Sequence, residues 1–151
     1  TAESTSFGEL QKFRAWTPQA TYQSETESEA ALFTSPFSGR ITRTRMAAAL
    51  AVGGYLGTDQ AFELWSRTAA LEFLRDALAQ ATDLEDEASL EAWTVINDIF
   101  AHELTSVRGA LIGPADEDGN LAQDQGAYTI IIFGKDNSGN LLGISLDVVW
   151  T

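Results

Sequence analysis

Cysteine is absent from this chain of 151 residues. That excludes disulfide staples, thiolate nucleophiles and zinc–thiolate centres. It also suits the cytoplasm, where we expect the protein to act. Long apolar runs are missing too. The longest, Met46 to Leu56, is interrupted by Gly53 and Gly54 and falls short of the roughly 18 residues of a membrane span. Histidine occurs once, at His102, without the nucleophile, orienting partner or co-ligands that catalysis or zinc binding needs. Gly53-Gly54-Tyr55-Leu56-Gly57 lacks both the G-x-G-x-x-G spacing and a preceding strand, so no phosphate cradle is read there. The chain opens at Thr1 without Met; routine Met removal and cleavage of a signal peptide or tag would each produce that start.

Positive charge is the scarcest commodity. Nine Lys and Arg stand against 22 Asp and Glu, for a net charge of −13. Such a field repels nucleic acid and anionic membrane and favours encounter with a basic partner surface. Arg40, Arg43 and Arg45 cluster in sequence, but amid surrounding negative charge they predict no basic patch for nucleic acid.

What is present fits one α/β domain. We expect residues 1–6 to fray and residues 7–151 to form a single unit. Phe7, Leu10, Phe13 and Trp16 recur near helical period, and Thr17-Pro18 interrupts them. Ser24 to Glu29 alternates carboxylates with small polar residues and reads as an exposed loop leading toward Ala30–Phe33. Thr42 to Val52 is Ala-rich and helix-favouring. Phe62 to Thr82 reads as helix, broken near Thr68, after a cap at Thr58-Asp59. Leu90, Trp93, Ile96, Phe100 and Leu104 predict a long helix over about Leu84 to Leu104, capped by Thr82 or Asp83. Gly109 to Gly126 reads as loop. Within it, Asp116-Glu117-Asp118-Gly119-Asn120 lacks the register of a calcium loop and is a solvated acidic turn. Ala127–Phe133, a turn, and the alternating stretch Leu141–Trp150 then predict a C-terminal β-hairpin. Carboxylates such as Glu25, Glu27 and Glu29 are plentiful, but closeness in sequence does not make a glycosidase pair.

By elimination the chain reads as a binding protein, not an enzyme, with no cofactor of its own. Its distinctive feature is positional. A strand running to the end of the chain would hold Thr151 rigidly. That terminus either ends idle in solvent or offers a hydroxyl and an α-carboxylate, ligands that suit Mg²⁺.

The tail bears on this choice. Gly134 to Thr151 reads G-K-D-N-S-G-N-L-L-G-I-S-L-D-V-V-W-T. It resembles the carboxy-terminal signature of the nuclease A inhibitor family, roughly G-x-x-x-x-G-x-L-x-G-[IL]-S-T-x-x-V-E-T. Ser24-Glu25-Thr26-Glu27 after Tyr22 is similar to that family's S-E-S-[DE] segment. Thr42–Val52 and Phe62–Arg67 look like its middle helix and F-F-x-R-like stretch. The resemblance implies a three-layer α-β-α sandwich. It implies inhibition of sugar-nonspecific ββα-metal endonucleases, which cut DNA and RNA with one divalent ion. The family's terminal Thr reaches the nuclease's Mg²⁺ and the Glu of the S-E segment assists. By position these are Thr151 and Glu25, with Glu27 the equivalent after a shift of two. Trp150 replaces the family's penultimate Glu, and Leu146 its Thr after G-I-S. Asp116 to Gln125 has no counterpart, and none of Trp16, Trp65 or Trp93 matches the family's middle-loop Trp. The expected partner surface is therefore Glu25, Glu27, Trp150 and Thr151, the last contacting the partner's Mg. The alternative is a non-catalytic interaction module on the same fold, with Trp150 as apolar anchor for a partner that is not a nuclease.

Overall fold

The β-branched run Ala127–Phe133 and the alternating run after it do form a hairpin. In a computed structural model, which describes residues 11, 13, 15–23, 27–122, 126–136 and 139–150, seven strands and three α-helices follow one another. In chain order they are β1 Thr21–Gln23, β2 Glu27–Glu29, β3 Ala31–Ser35, α1 Arg43–Val52, β4 Gln60–Trp65, α2 Arg67–Asp83, α3 Glu87–His102, β5 Thr105–Pro114, β6 Gly126–Lys135 and β7 Leu141–Trp150. A 3-10 turn, Thr17–Gln19, precedes β1, with Pro18 in its first positions. The expectation for residues 1–6 lies outside the described residues.

Strands β3-β7-β6-β5-β4 make one antiparallel sheet in that order, and β1 and β2 make a separate two-stranded ribbon. Side chains alternate across the sheet because successive Cβ atoms point to opposite faces. Leu111, Ile130 and Leu146 are cross-strand neighbours on one face. They pack with Phe73, Leu74 and Ala77 of α2 and Trp93, Ile96 and Phe100 of α3. Ala110, Ile112, Ile131, Phe133 and Leu141 belong to a second cluster with Phe33, Phe62, and Met46 and Leu50 of α1. Each fully buried Leu, Ile or Phe contributes about 1.5–3 kcal/mol, so burial on both faces stabilises the sheet. Phe13, fully buried, meets Phe100 edge-on at 5.5 Å between ring centroids, extending the first cluster toward the amino end.

Double burial explains the main departures from the sequence reading. The stretch expected as loop from Gly109 holds most of β5, an interior strand between β4 and β6. Its glycines are space-makers. A Cβ on Gly113 would stand 2.3 Å from the Tyr128 ring. Gln60–Trp65 is an edge strand and not the start of a helix. The break falls at Ser66, whose hydroxyl accepts from the Ala69 amide and caps α2. The cap of α3 is Asp86, which accepts from the Ser89 amide at 3.1 Å; Glu87 then occupies the first turn. Ala31–Ser35 is strand β3. The Thr42 cap and the Ala-rich helix after it stand as expected. Among the described residues, no helix is long and apolar enough to cross a membrane.

Candidate protein-docking site

Of the residues expected to meet a partner, Glu27 stands on β2 and Trp150 on β7, and Ser28 and Asp147, 119 positions apart, join these two strands. Strand β3 pairs with β7 only from Leu141 to Ser145. Past Ser145 that edge of β7 has no ladder partner in the main sheet among the described residues, and the ribbon takes its place: the Asp147 amide donates to the Ser28 hydroxyl at 3.3 Å. On its other side β7 continues in register with β6 to the pair Trp150–Gly126. The end of β7 is therefore held by a full ladder on one side and tethered to the ribbon on the other.

The ribbon is itself anchored. Its register pairs Thr21 with Glu29, Tyr22 with Ser28 and Gln23 with Glu27. Gln23 exchanges two 2.8 Å hydrogen bonds with the Gln80 amide side chain of α2. The Thr21 carbonyl accepts from the Trp93 indole at 2.8 Å and from the buried Ser89 hydroxyl at 3.3 Å. Tyr22 packs on Phe73 of α2, ring centroids 5.1 Å apart. Burial, with the negative charge of Asp76 adding to it, raises the Tyr22 phenol above its ordinary range. These contacts bolt a short two-stranded ribbon, marginal by itself, onto both helices. Exposed Glu29 and Asp147 add carboxylates beside it, and Asp147 also accepts from the Thr129 hydroxyl at 3.1 Å.

Of the expected contact residues, Glu25 and Thr151 lie outside the described residues. Glu27 opens β2 and Trp150 closes β7; their backbones are described and their side chains are not. Sequence reasoning missed Ser28, Gln80, Ser89 and Asp147 as the frame of this edge. The one usable signal was the polar Ser89 at helical spacing with Trp93.

The remaining candidates are dispersed. His102 ends α3, 74% exposed, with Nε2 3.6 Å from Asp98 Oδ1. Asp116 folds its own turn by accepting from the amides of Asp118 and Asn120, both at 2.9 Å. No group of three or more His, Asp or Glu able to hold a metal occurs among the described residues. Arg40, Arg67, Arg108 and Lys135 line one cavity at the far end of the sheet, a convergence that sequence spacing does not reveal. No protein-family model matches the chain, and no curated protein matches it.

Proposed function

We propose that this protein is a stoichiometric inhibitor of a sugar-nonspecific, Mg-dependent DNA/RNA endonuclease, acts in the cytoplasm and is not itself an enzyme. The single observation carrying this reading is the adjacency of the acidic ribbon and the end of β7, linked by the Asp147–Ser28 hydrogen bond. These are the two segments whose sequences resemble the nuclease A inhibitor family, and nothing in their spacing required them to meet. Helices whose buried residues belong to two separate clusters, with the sheet contributing to both, support the three-layer α-β-α sandwich as its architecture.

The physics is that of substrate mimicry. A nuclease groove is basic because it neutralises phosphates. A protein with a net charge of −13 enters the same field. Glu25 and Glu27 would face the cations of the groove. The Thr151 hydroxyl would supply an oxygen to the partner's Mg²⁺ where a phosphate oxygen or water otherwise sits. Trp150, beside it, would bury apolar surface at the rim.

The test is titration of the purified protein into a panel of ββα-metal nucleases with DNA cleavage as readout. Stoichiometric inhibition, sharply weakened by removal of Thr151 and untouched by removal of residues 1–4, is the expected result. Absence of inhibition across the panel at micromolar excess refutes it. Capture of one consistent partner that is not a nuclease would transfer the same edge to the alternative role of an interaction module.

A further inference from the structure

We propose that the cavity at the opposite end of the sheet from the β7 terminus binds a small molecule carrying two or more phosphate charges. It measures about 460 Å³, within the range of small-ligand sites. Arg40, Arg67, Arg108 and Lys135 line it together with Ile41, Ser66, Ser106 and Val107, and among the described residues no carboxylate does. In a chain with only nine Lys and Arg, four stand around one cavity. Four separate segments deliver them: the loop before α1, the β4–α2 junction, β5 and the end of β6.

Among the described residues, none of the four has a carboxylate within pairing distance. Arg108 is held by a bond from its Nε to the Trp65 carbonyl at 2.9 Å. That leaves both terminal nitrogens of its fork without a partner among the described residues and able to grip an oxyanion bidentately. Lys135 donates to the Gly39 carbonyl, which draws the Arg40 loop to the rim. The floor is also built irregularly. The β5–β6 register shifts between Thr105 and Arg108, and Ser106 sits at φ +52°, a left-handed conformation rare outside glycine. Bulges and strained residues of this kind re-aim neighbouring side chains and cluster at binding sites. The 17-residue helix α2 begins at Ser66 and Arg67, adding the partial positive charge of its N-terminus to the same cavity.

The net charge of −13 does not cancel this. At physiological salt, exposed charges are screened beyond about 8 Å, so the local cations govern a ligand that has entered. The global field instead discourages long polyanions, whose charge must spread over the acidic surface. That favours a compact phosphate ester or pyrophosphate over a nucleic-acid strand.

The test is isothermal titration of the full chain with inorganic phosphate, pyrophosphate and a short single-stranded oligonucleotide. Pyrophosphate is expected to bind best and inorganic phosphate more weakly. The double variant R40Q/R67Q changes two exposed residues and should weaken pyrophosphate at least tenfold. R43Q/R75Q removes the same charge from outside the cavity and should leave binding unchanged; thermal melts verify that both variants fold. Nuclease inhibition, which depends on the other end of the sheet, should survive R40Q/R67Q. Failure of pyrophosphate to bind at millimolar concentration, or equal losses in the two double variants, overturns the proposal. Oligonucleotide binding tighter than pyrophosphate and abolished by R40Q/R67Q overturns the assignment to a small ligand.

Discussion

Replacing Gly143 by alanine drives a methyl group into the backbone of the neighbouring strand. A Cβ built there would lie 1.9 Å from the Ile132 carbonyl oxygen, 2.8 Å from Phe133 Cα and 2.9 Å from the Ile132 carbonyl carbon. Comfortable contact needs about 3.5 Å, and the atoms in the way are main chain and cannot rotate aside. Gly143 pairs with Phe133 on one side and Phe33 on the other, so β7 cannot back away without disturbing β3. Overpacking in a core costs about 1–3 kcal/mol, and each ladder hydrogen bond lost adds about 1 kcal/mol. We expect a loss of about 3–5 kcal/mol, a large share of the 5–15 kcal/mol typical of a domain. The midpoint of thermal unfolding should fall by roughly 6–20 °C. The comparison is G139A. Gly139 has φ +85° and nothing within 4 Å of its Cβ position, so only the left-handed backbone is penalised, at about 1–2 kcal/mol. Urea unfolding followed by tryptophan fluorescence measures both. A loss in G143A no greater than in G139A would refute the steric account. Gly143 lies in the Gly-Ile-Ser stretch that carried the family resemblance, so this experiment also asks how far that stretch serves the fold and not the partner.

Three further outcomes follow from the same contacts. S28A removes the hydroxyl that accepts from the Asp147 amide; global stability should change by about 1 kcal/mol or less, while nuclease inhibition weakens several-fold, and an unchanged inhibition constant would separate the ribbon from the docking edge. D86A removes the cap of α3 and should cost about 1 kcal/mol in urea unfolding; D83A, outside that helix, should cost clearly less. Tyr22 supplies a pH test. Its folded-state pKa is raised, first by burial and then by Asp76, so the folded state holds the phenolic proton more tightly than the unfolded chain does. The stabilisation is complete below the unfolded tyrosine value of about 10 and is lost as pH rises through the raised one. Chemical denaturation across that range should show stability falling, and Y22F should flatten the fall; an identical slope in Y22F would assign the alkaline loss to other groups.

The wild-type edge is expected to depend on salt in a way the fold does not. Long-range attraction to a basic groove is screened with a Debye length of about 8 Å at physiological ionic strength. Association with a nuclease should therefore slow as salt rises. Pairing of β6 with β7, secured by backbone hydrogen bonds and side chains buried on both faces, should hold. Stopped-flow association against equilibrium unfolding at matched salt separates the two.

Local pattern was enough wherever one element carries its own signal. Leu90, Trp93, Ile96 and Phe100 announced α3 through helical spacing, because a helix buries one stripe and exposes the rest. Thr42 and the alanines after it announced α1. The β-branched run from Ala127 and the alternation after Leu141 announced the hairpin. The chain's negative charge was equally plain. Tertiary structure decided what depends on neighbours. Strand β5 was hidden because Gly109 and Gly113 read as breakers, whereas they are the room left for Trp65, Ile132 and Tyr128. Strand β4 was hidden because Phe62 and Trp65 match helical spacing as well as they match an edge strand. The meeting of the acidic ribbon with the end of β7, and of four cations around one cavity, joins residues far apart in the chain. Periodicity reports only which face of an element is apolar. Which elements then lie side by side is set by burying those faces together, and both candidate sites exist only at that level.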